Sequence, residues 1–130
     1  MIRGIDHVAI TVADLDAACE FYAHVLGARV EEAYEIGGRI AVKRVAFGQA
    51  ILNIHQQGNG VDLVARQPLP GSTDICFRWA GDINAAKTQL ESRGVTVIEG
   101  PVARISADGF AGNSVYFRDL DGNLVELLAT

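Results

Sequence analysis

Positive charge is in short supply in this sequence. Eleven Lys and Arg stand against sixteen Asp and Glu, for a net charge of −5, and the basic residues are scattered without forming a run. Nucleic acid and anionic membrane surfaces both ask for a basic face, so neither is expected as a partner. No apolar run is long enough to span a bilayer, and the stretch Met1-Ile-Arg-Gly-Ile-Asp-His7 has no secretory h-region. The expected location is cytoplasmic. Cysteine is scarce too. Cys19 and Cys76 are the only two, neither lies in a CxxC motif, and a disulfide framework is excluded. Both are expected to be reduced core thiols. Proline is confined to Pro68, Pro70 and Pro101, and no low-complexity segment is present. What remains is ordinary for a globular chain: 130 residues, 49% hydrophobic and 21% charged, enough for one domain with its own core.

The main positive feature is a plan that occurs twice. His7-Val-Ala-Ile-Thr-Val12 and Asp74-Ile-Cys-Phe-Arg-Trp79 both alternate in strand fashion, and each leads through an acidic turn into a helical stretch. The first strand is expected over about Gly4 to Val12. Asp14 and Asp82 are candidate N-caps. Leu15, Ala18, Cys19, Tyr22, Val25 and Leu26 form one apolar stripe, and Ile83, Ala86 and Leu90 the other. Gly27 and Gly94 close the two helices, each twenty residues after His7 or Asp74. In the first copy three strands follow: Ala28 to Tyr34, Ile40 to Phe47 and Ala50 to Gln56. In the second, Val95 to Ile98 reads as a strand and Gly100 to Gly112 as an irregular loop. Asn113 to Arg118 and Asn123 to Ala129 then pair around Asp121-Gly122. Between the copies, residues 57–73 read as a linker with a short extended piece at Val61 to Val64. The expected organisation is a single domain over 1–130, with repeat one at 1–56 and repeat two at 74–130.

The repeats place four ligand-capable side chains at matching points: His7 with Asp74, and His55 with Glu126. Glu126 interrupts an apolar strand, Leu124-Val-Glu-Leu-Leu128. A buried carboxylate is costly by several kcal/mol unless it is paired or bound to a cation. Taken singly, each residue has an ordinary reading: a lone strand histidine is usually structural, and Asp74 could cap a turn after Gly71-Ser-Thr. Taken together they point to a metal site of two imidazoles and two carboxylates. His24 falls off the first helix's stripe and is expected on a solvated face.

These residues resemble the vicinal oxygen chelate superfamily, which includes glyoxalase I, fosfomycin-resistance proteins, extradiol dioxygenases and bleomycin-resistance proteins. The resemblance rests on Ile5-Asp-His-Val-Ala-Ile-Thr-Val12, on Phe21-Tyr22 before Leu26-Gly27, and on Val115-Tyr-Phe-Arg-Asp-Leu-Asp-Gly-Asn-Leu-Val-Glu126. It spans the whole chain. Asn53-Ile-His55, Pro70-Gly-Ser-Thr-Asp-Ile-Cys76 and Gly100-Pro-Val-Ala-Arg104 are most similar to the glyoxalase-domain-containing-protein-5-like branch. The resemblance implies an α+β fold of two βαβββ units, whose mixed sheets curl into a cup around a divalent metal (Zn, Ni, Fe, Mn or Co), and a homodimer. It implies His7, His55, Asp74 and Glu126 as ligands. Bacterial glyoxalase I carries His, Glu, His, Glu in that order, so the middle two positions depart, and Asp74 is either a direct ligand or one acting through water.

Three functions follow from the resemblance. The first is a metal-dependent, lactoylglutathione-lyase-like lyase or isomerase on a small substrate with vicinal oxygens, with Glu126 or Asp74 moving a proton. The second is an extradiol-type dioxygenase, with His7, His55 and Glu126 as a two-histidine, one-carboxylate iron site. The third is non-catalytic binding of a drug or metabolite, as in bleomycin resistance. Arg104 and Tyr116 read first as surface or packing residues, and otherwise as groups that meet an anionic or aromatic substrate.

Overall fold

The computed structural model describes all residues, Met1–Thr130. They fall into two compact units, Met1–Ser72 and Thr73–Thr130. The first contains β1 (Val8–Val12), α1 (Leu15–Leu26), β2 (Arg29–Ile36), β3 (Arg39–Phe47) and β4 (Ala50–Gln56). The second contains β5 (Asp74–Arg78), α2 (Ile83–Ser92), β6 (Glu99–Ile105), β7 (Ala111–Arg118) and β8 (Leu124–Ala129). Each unit is βαβββ with a four-stranded mixed sheet, in the orders β1-β4-β3-β2 and β5-β8-β7-β6. The first strand of each unit runs parallel to the last, and the other pairs are antiparallel. This is the α+β architecture that the repeat implied.

The helices form where local chemistry starts and stops them. The Asp14 carboxylate accepts from the Ala17 N–H at 3.0 Å and satisfies one of α1's free amides. Gly27, at φ 68°, donates back to the Tyr22 and Ala23 carbonyls. Leu15, Ala18, Cys19, Tyr22 and Val25 are buried, with the Tyr22 ring edge-on to Phe47 at 5.2 Å. Lys43 reaches from β3 to Asp16 on α1 at 2.7 Å. In the second unit Asp82 caps Asn84 at 2.8 Å, and Ile83, Ala86 and Leu90 are buried. Val115, Phe117, Val125 and Leu127 form the core face of that sheet. Asp119 accepts from the Asn123 backbone and side-chain amides, and Asn123 accepts from the Thr73 N–H, which ties the start of β5 to the β7–β8 turn.

Several boundaries differ from expectation. β1 begins at Val8 rather than near Gly4, so His7 lies just before the strand. Val95 to Ile98 is not a strand. The strand is β6, inside the stretch expected to be irregular. The cause is a bulge between Glu99 and Val102 that takes in Gly100 and Pro101. β6 is an edge strand, where a proline without an N–H is tolerated. Val61 to Val64 is not extended, and Val64 N–H bonds to the Asp62 carbonyl in a turn. Cys76 is exposed on the sheet face away from α2, so it is not a core thiol; Cys19 is buried as expected.

Candidate functional site

In both units the sheet face away from the helix carries the polar side chains. In the first unit His7, Ala9 and Thr11 share that face with Ile51, Asn53 and His55 on β4. The parallel register sets Ala9 beside Asn53 and Thr11 beside His55. In the second, Asp74, Cys76 and Arg78 share it with Leu124, Glu126 and Leu128, and Cys76 stands beside Glu126. His7 and Asp74 each precede Ala9 and Cys76 by two residues. The structural counterpart of Glu126 is therefore Asn53, and His55 sits one side-chain step further along. Sequence spacing missed this because it aligned Val45 with Val115. The registers align Val45 with Phe117 instead, both fully buried. Between these equivalent paired positions, Val45 to Leu52 and Phe117 to Val125, the second hairpin is one residue longer than the first.

His7 and His55 are not brought together. His7 lies four residues from Thr11, the neighbour of His55, which is roughly 13 Å along a strand at ~3.3 Å per residue. Side chains standing off a sheet interact out to the diagonal neighbour two residues away, not four. Asp74 and Glu126 are such diagonal neighbours. Within neither unit do three or more His, Cys, Asp or Glu gather into a metal cage.

The environments of the four candidates differ. His7 is exposed, and its Nδ1 lies 2.7 Å from the Asp6 carboxylate. An ionised carboxylate only accepts, so Nδ1 donates and the Nε2 lone pair is left free. This bond holds the Asp6 carboxyl below the usual carboxylate range. A carboxylate-held imidazole is the form in which histidine commonly meets a metal. Asp74 is exposed at the start of β5. Glu126 is half-buried between Val125 and Leu127, which face the core. Cys76 on β5 and Tyr116 on β7 are its register neighbours, and the Cys76 thiol donates to the Phe77 carbonyl at 3.8 Å. Arg104 Nε donates in turn to Tyr116 Oη at 2.8 Å, with its guanidinium 5.4 Å from the ring centre. Arg104 is exposed and Tyr116 half-buried, and the pair lies beside Glu126 through the β7–β8 register.

Two of these contacts shape the proton inventory. Burial, and then the neighbouring Glu126 carboxylate, push the Cys76 thiol up to about 11, so it stays protonated at neutral pH and is a donor rather than a nucleophile. Burial, followed by Glu126, also raises the Tyr116 hydroxyl above the ordinary phenol range, against the opposing pull of Arg104. His55 is part-buried, and burial lowers its pKa, favouring the neutral ring.

Each unit carries ligand types suited to a divalent ion: an oriented imidazole, His7, in the first, and the diagonal carboxylates Asp74 and Glu126 in the second, hard-to-borderline donors of the kind that hold Zn, Mn or Fe. In that respect the residues present fit such a group.

The folding pattern and this pair of polar sheet faces define a class. The superfamily profile described as Glyoxalase/Bleomycin resistance protein/Dioxygenase matches residues 4–127, and the chain belongs to that superfamily. It is 40% identical over 126 residues to the glyoxalase domain-containing protein RDO1 of Mycosarcoma maydis, covering 97% of this chain and 68% of that one. It is 36% identical over 127 residues to virulence protein STM3117 of Salmonella typhimurium, covering 98% and 84%. The crystal structure of STM3117 superposes with a TM-score of 0.85 over 99% of this chain and 98% of the other. A structure from the mobile metagenome of V. pseudocholerae, 37% identical, gives a TM-score of 0.89 over 99% and 95%. Other relatives include a metallothiol transferase, FosB of Shouchella clausii, and the ethylmalonyl-CoA/methylmalonyl-CoA epimerase of Cereibacter sphaeroides. Members of the superfamily typically use divalent metals.

Proposed function

We propose that residues 1–130 act as one domain, as a divalent-metal-dependent lyase or isomerase on a small substrate with two adjacent oxygens. His7, Asp74 and Glu126 are the residues that would hold the ion. The observation that carries this reading is the Glu126 arrangement: a half-buried carboxylate in an apolar strand, flanked in register by Cys76 and Tyr116. A divalent ion there supplies Lewis-acid polarisation of the substrate oxygens. Glu126 holds or moves the proton. Tyr116 and Cys76 flank the carboxylate on the neighbouring strands, and Arg104 holds Tyr116 in place. Asp6 keeps His7 in the tautomer with a free Nε2. The epimerase relative, 31% identical over 132 residues, supports proton transfer beside a carbonyl. The reading includes a homodimer, since members of the superfamily often dimerise.

The test combines metal analysis with turnover. Protein purified without chelators should carry bound Mn, Ni, Zn, Co or Fe, and His7→Ala should lose it. Glu126→Gln keeps the shape but removes the proton acceptor. It should lower turnover by about a hundredfold or more, the usual scale of a general base. Suitable substrates are the hemithioacetal of methylglyoxal with glutathione, and methylmalonyl-CoA followed by deuterium uptake from D₂O. Absence of metal, with His7→Ala and Glu126→Gln both indistinguishable from wild type, would sink the enzyme reading. It would favour the second one, binding without catalysis. That second reading draws on the free donor pair Thr11 and His55 described below and on TnmS3, an antibiotic binding protein from Streptomyces that is 25% identical with a TM-score of 0.74.

A further inference from the structure

The sequence pattern places His55 among four candidate metal ligands, but its surroundings point elsewhere. Its Nδ1 lies 3.1 Å from Asn59 Nδ2. The orientation of that amide is settled on both sides. Asn59 Oδ1 accepts from the Val61 N–H at 2.9 Å, and Nδ2 donates to the Ala41 carbonyl at 2.9 Å. A flipped amide would set oxygen against the carbonyl and nitrogen against the N–H. The second Nδ2 hydrogen therefore points at His55 Nδ1, which must accept. A neutral imidazole that accepts at Nδ1 carries its proton on Nε2, and neither nitrogen then offers a free lone pair.

The Nε2–H has no protein partner, and neither does the hydroxyl of Thr11, its register neighbour on β1. Both border a pocket of about 120 Å³, walled on one side by Val61, Val64 and Pro68. No Lys, Arg, Asp or Glu lines it. Two neutral donors in a part-buried, uncharged, partly apolar recess suit an uncharged oxygen acceptor. An anion buried there would lack compensation, and the volume admits only the end of a molecule. Gln56 also borders it, with its Oε1 accepting from the Leu15 N–H and one Nε2 hydrogen donated to the Ala13 carbonyl.

We infer that His55 is a neutral hydrogen-bond donor, held by Asn59, in a subsite that takes the carbonyl of a small acyl or amide group, and that it is not a metal ligand. The site is built within the first unit and stands independently of the metal proposed at His7, Asp74 and Glu126.

Nitrogen-15 NMR of the uniformly labelled protein tests this directly. Long-range proton–nitrogen correlations at pH 8 should show a pyridine-type Nδ1 and a pyrrole-type Nε2 for His55. N-methylacetamide should shift the amides of Gly58, Asn59 and Gly60 and the His55 ring, while acetate and inorganic phosphate should not. His55→Phe should weaken N-methylacetamide binding about fivefold, the worth of one neutral hydrogen bond. Asn59→Asp turns the acceptor at His55 into a donor, because the carboxylate draws the proton to Nδ1, and it should weaken the amide similarly. A proton on Nδ1 in the wild type, stronger binding of acetate than of the amide, or no response to the amide would overturn the assignment. So would His55→Phe abolishing Zn²⁺ or Mn²⁺ binding. Failure of the His7 and Glu126 variants to affect metal would leave it untouched.

Discussion

At the scale of single residues, the second unit shows how neighbours decide what a side chain can do. Cys76 is exposed, yet its thiol sits beside Glu126 and its pKa is pushed up to about 11, by burial first and the carboxylate second. The raised pKa means that thiolate appears only as pH climbs toward 11. At pH 8 its fraction is on the order of 10⁻³, and alkylation by iodoacetamide should run about twentyfold slower than for a free thiol of ordinary pKa, the greater nucleophilicity of the more basic thiolate offsetting part of its scarcity. Peptide mass spectrometry of Cys76 over a pH series checks this. Glu126→Gln removes the negative charge and should speed the reaction at fixed pH, without restoring the free-thiol rate, because burial remains. Alkylation of Cys76 at the free-cysteine rate at pH 8 would show that the thiol is not held as described.

At the scale of elements, what was legible in the sequence was what local chemistry decides. Asp14, Gly27 and Asp82 announce the helix ends because a cap bonds only two or three residues away. Asp121-Gly122 announces its hairpin for the same reason, and Glu126 stood out because a carboxylate in an apolar strand contradicts its surroundings. Register was not legible. That Asn53 rather than His55 matches Glu126 depends on a two-residue shift of the hairpin alignment, Val45 with Phe117 rather than Val115, visible only once parallel partners are paired. β6 was hidden because Gly100 and Pro101 read as loop residues, although a bulge on an edge strand needs them. Gly100 adopts φ 102°, and a Cβ there would stand 2.2 Å from the Ser114 carbonyl oxygen. Gly109, at φ 88°, has nothing within 4 Å of its would-be Cβ. Gly100→Ala should therefore lose roughly 3 kcal/mol or more, through clash plus backbone strain, and Gly109→Ala about 1 kcal/mol from strain alone. Urea unfolding of the two variants measures the gap, and equal losses would mean that the β6–β7 approach is looser than this.

At the scale of the whole molecule, the two units repeat a backbone plan but not a chemistry. The first unit's polar face presents His7, Ala9 and Asn53 where the second presents Asp74, Cys76 and Glu126, and Thr11 and a donor-locked His55 where the second has Arg78 and Leu128. The plan also leaves apolar surface uncovered. All eight residues of β2 are exposed, Val30, Tyr34 and Ile36 among them, and Ile40 adds to them from the start of β3. β2 is an edge strand, and its side chains carry Glu31, Glu32 and Glu35 as the only negative charges against pairing. Exposed apolar side chains along an unpaired edge are a common mark of an association surface, and closed twofold symmetry is the commonest way to cover one. The chain should therefore run at twice the monomer mass in multi-angle light scattering at micromolar concentration, and the double variant Tyr34→Asp with Ile36→Asp should shift it toward monomer. A wild-type chain at monomer mass across that range would refute the dimer. A wild-type dimer that the double variant leaves intact would move the interface off β2.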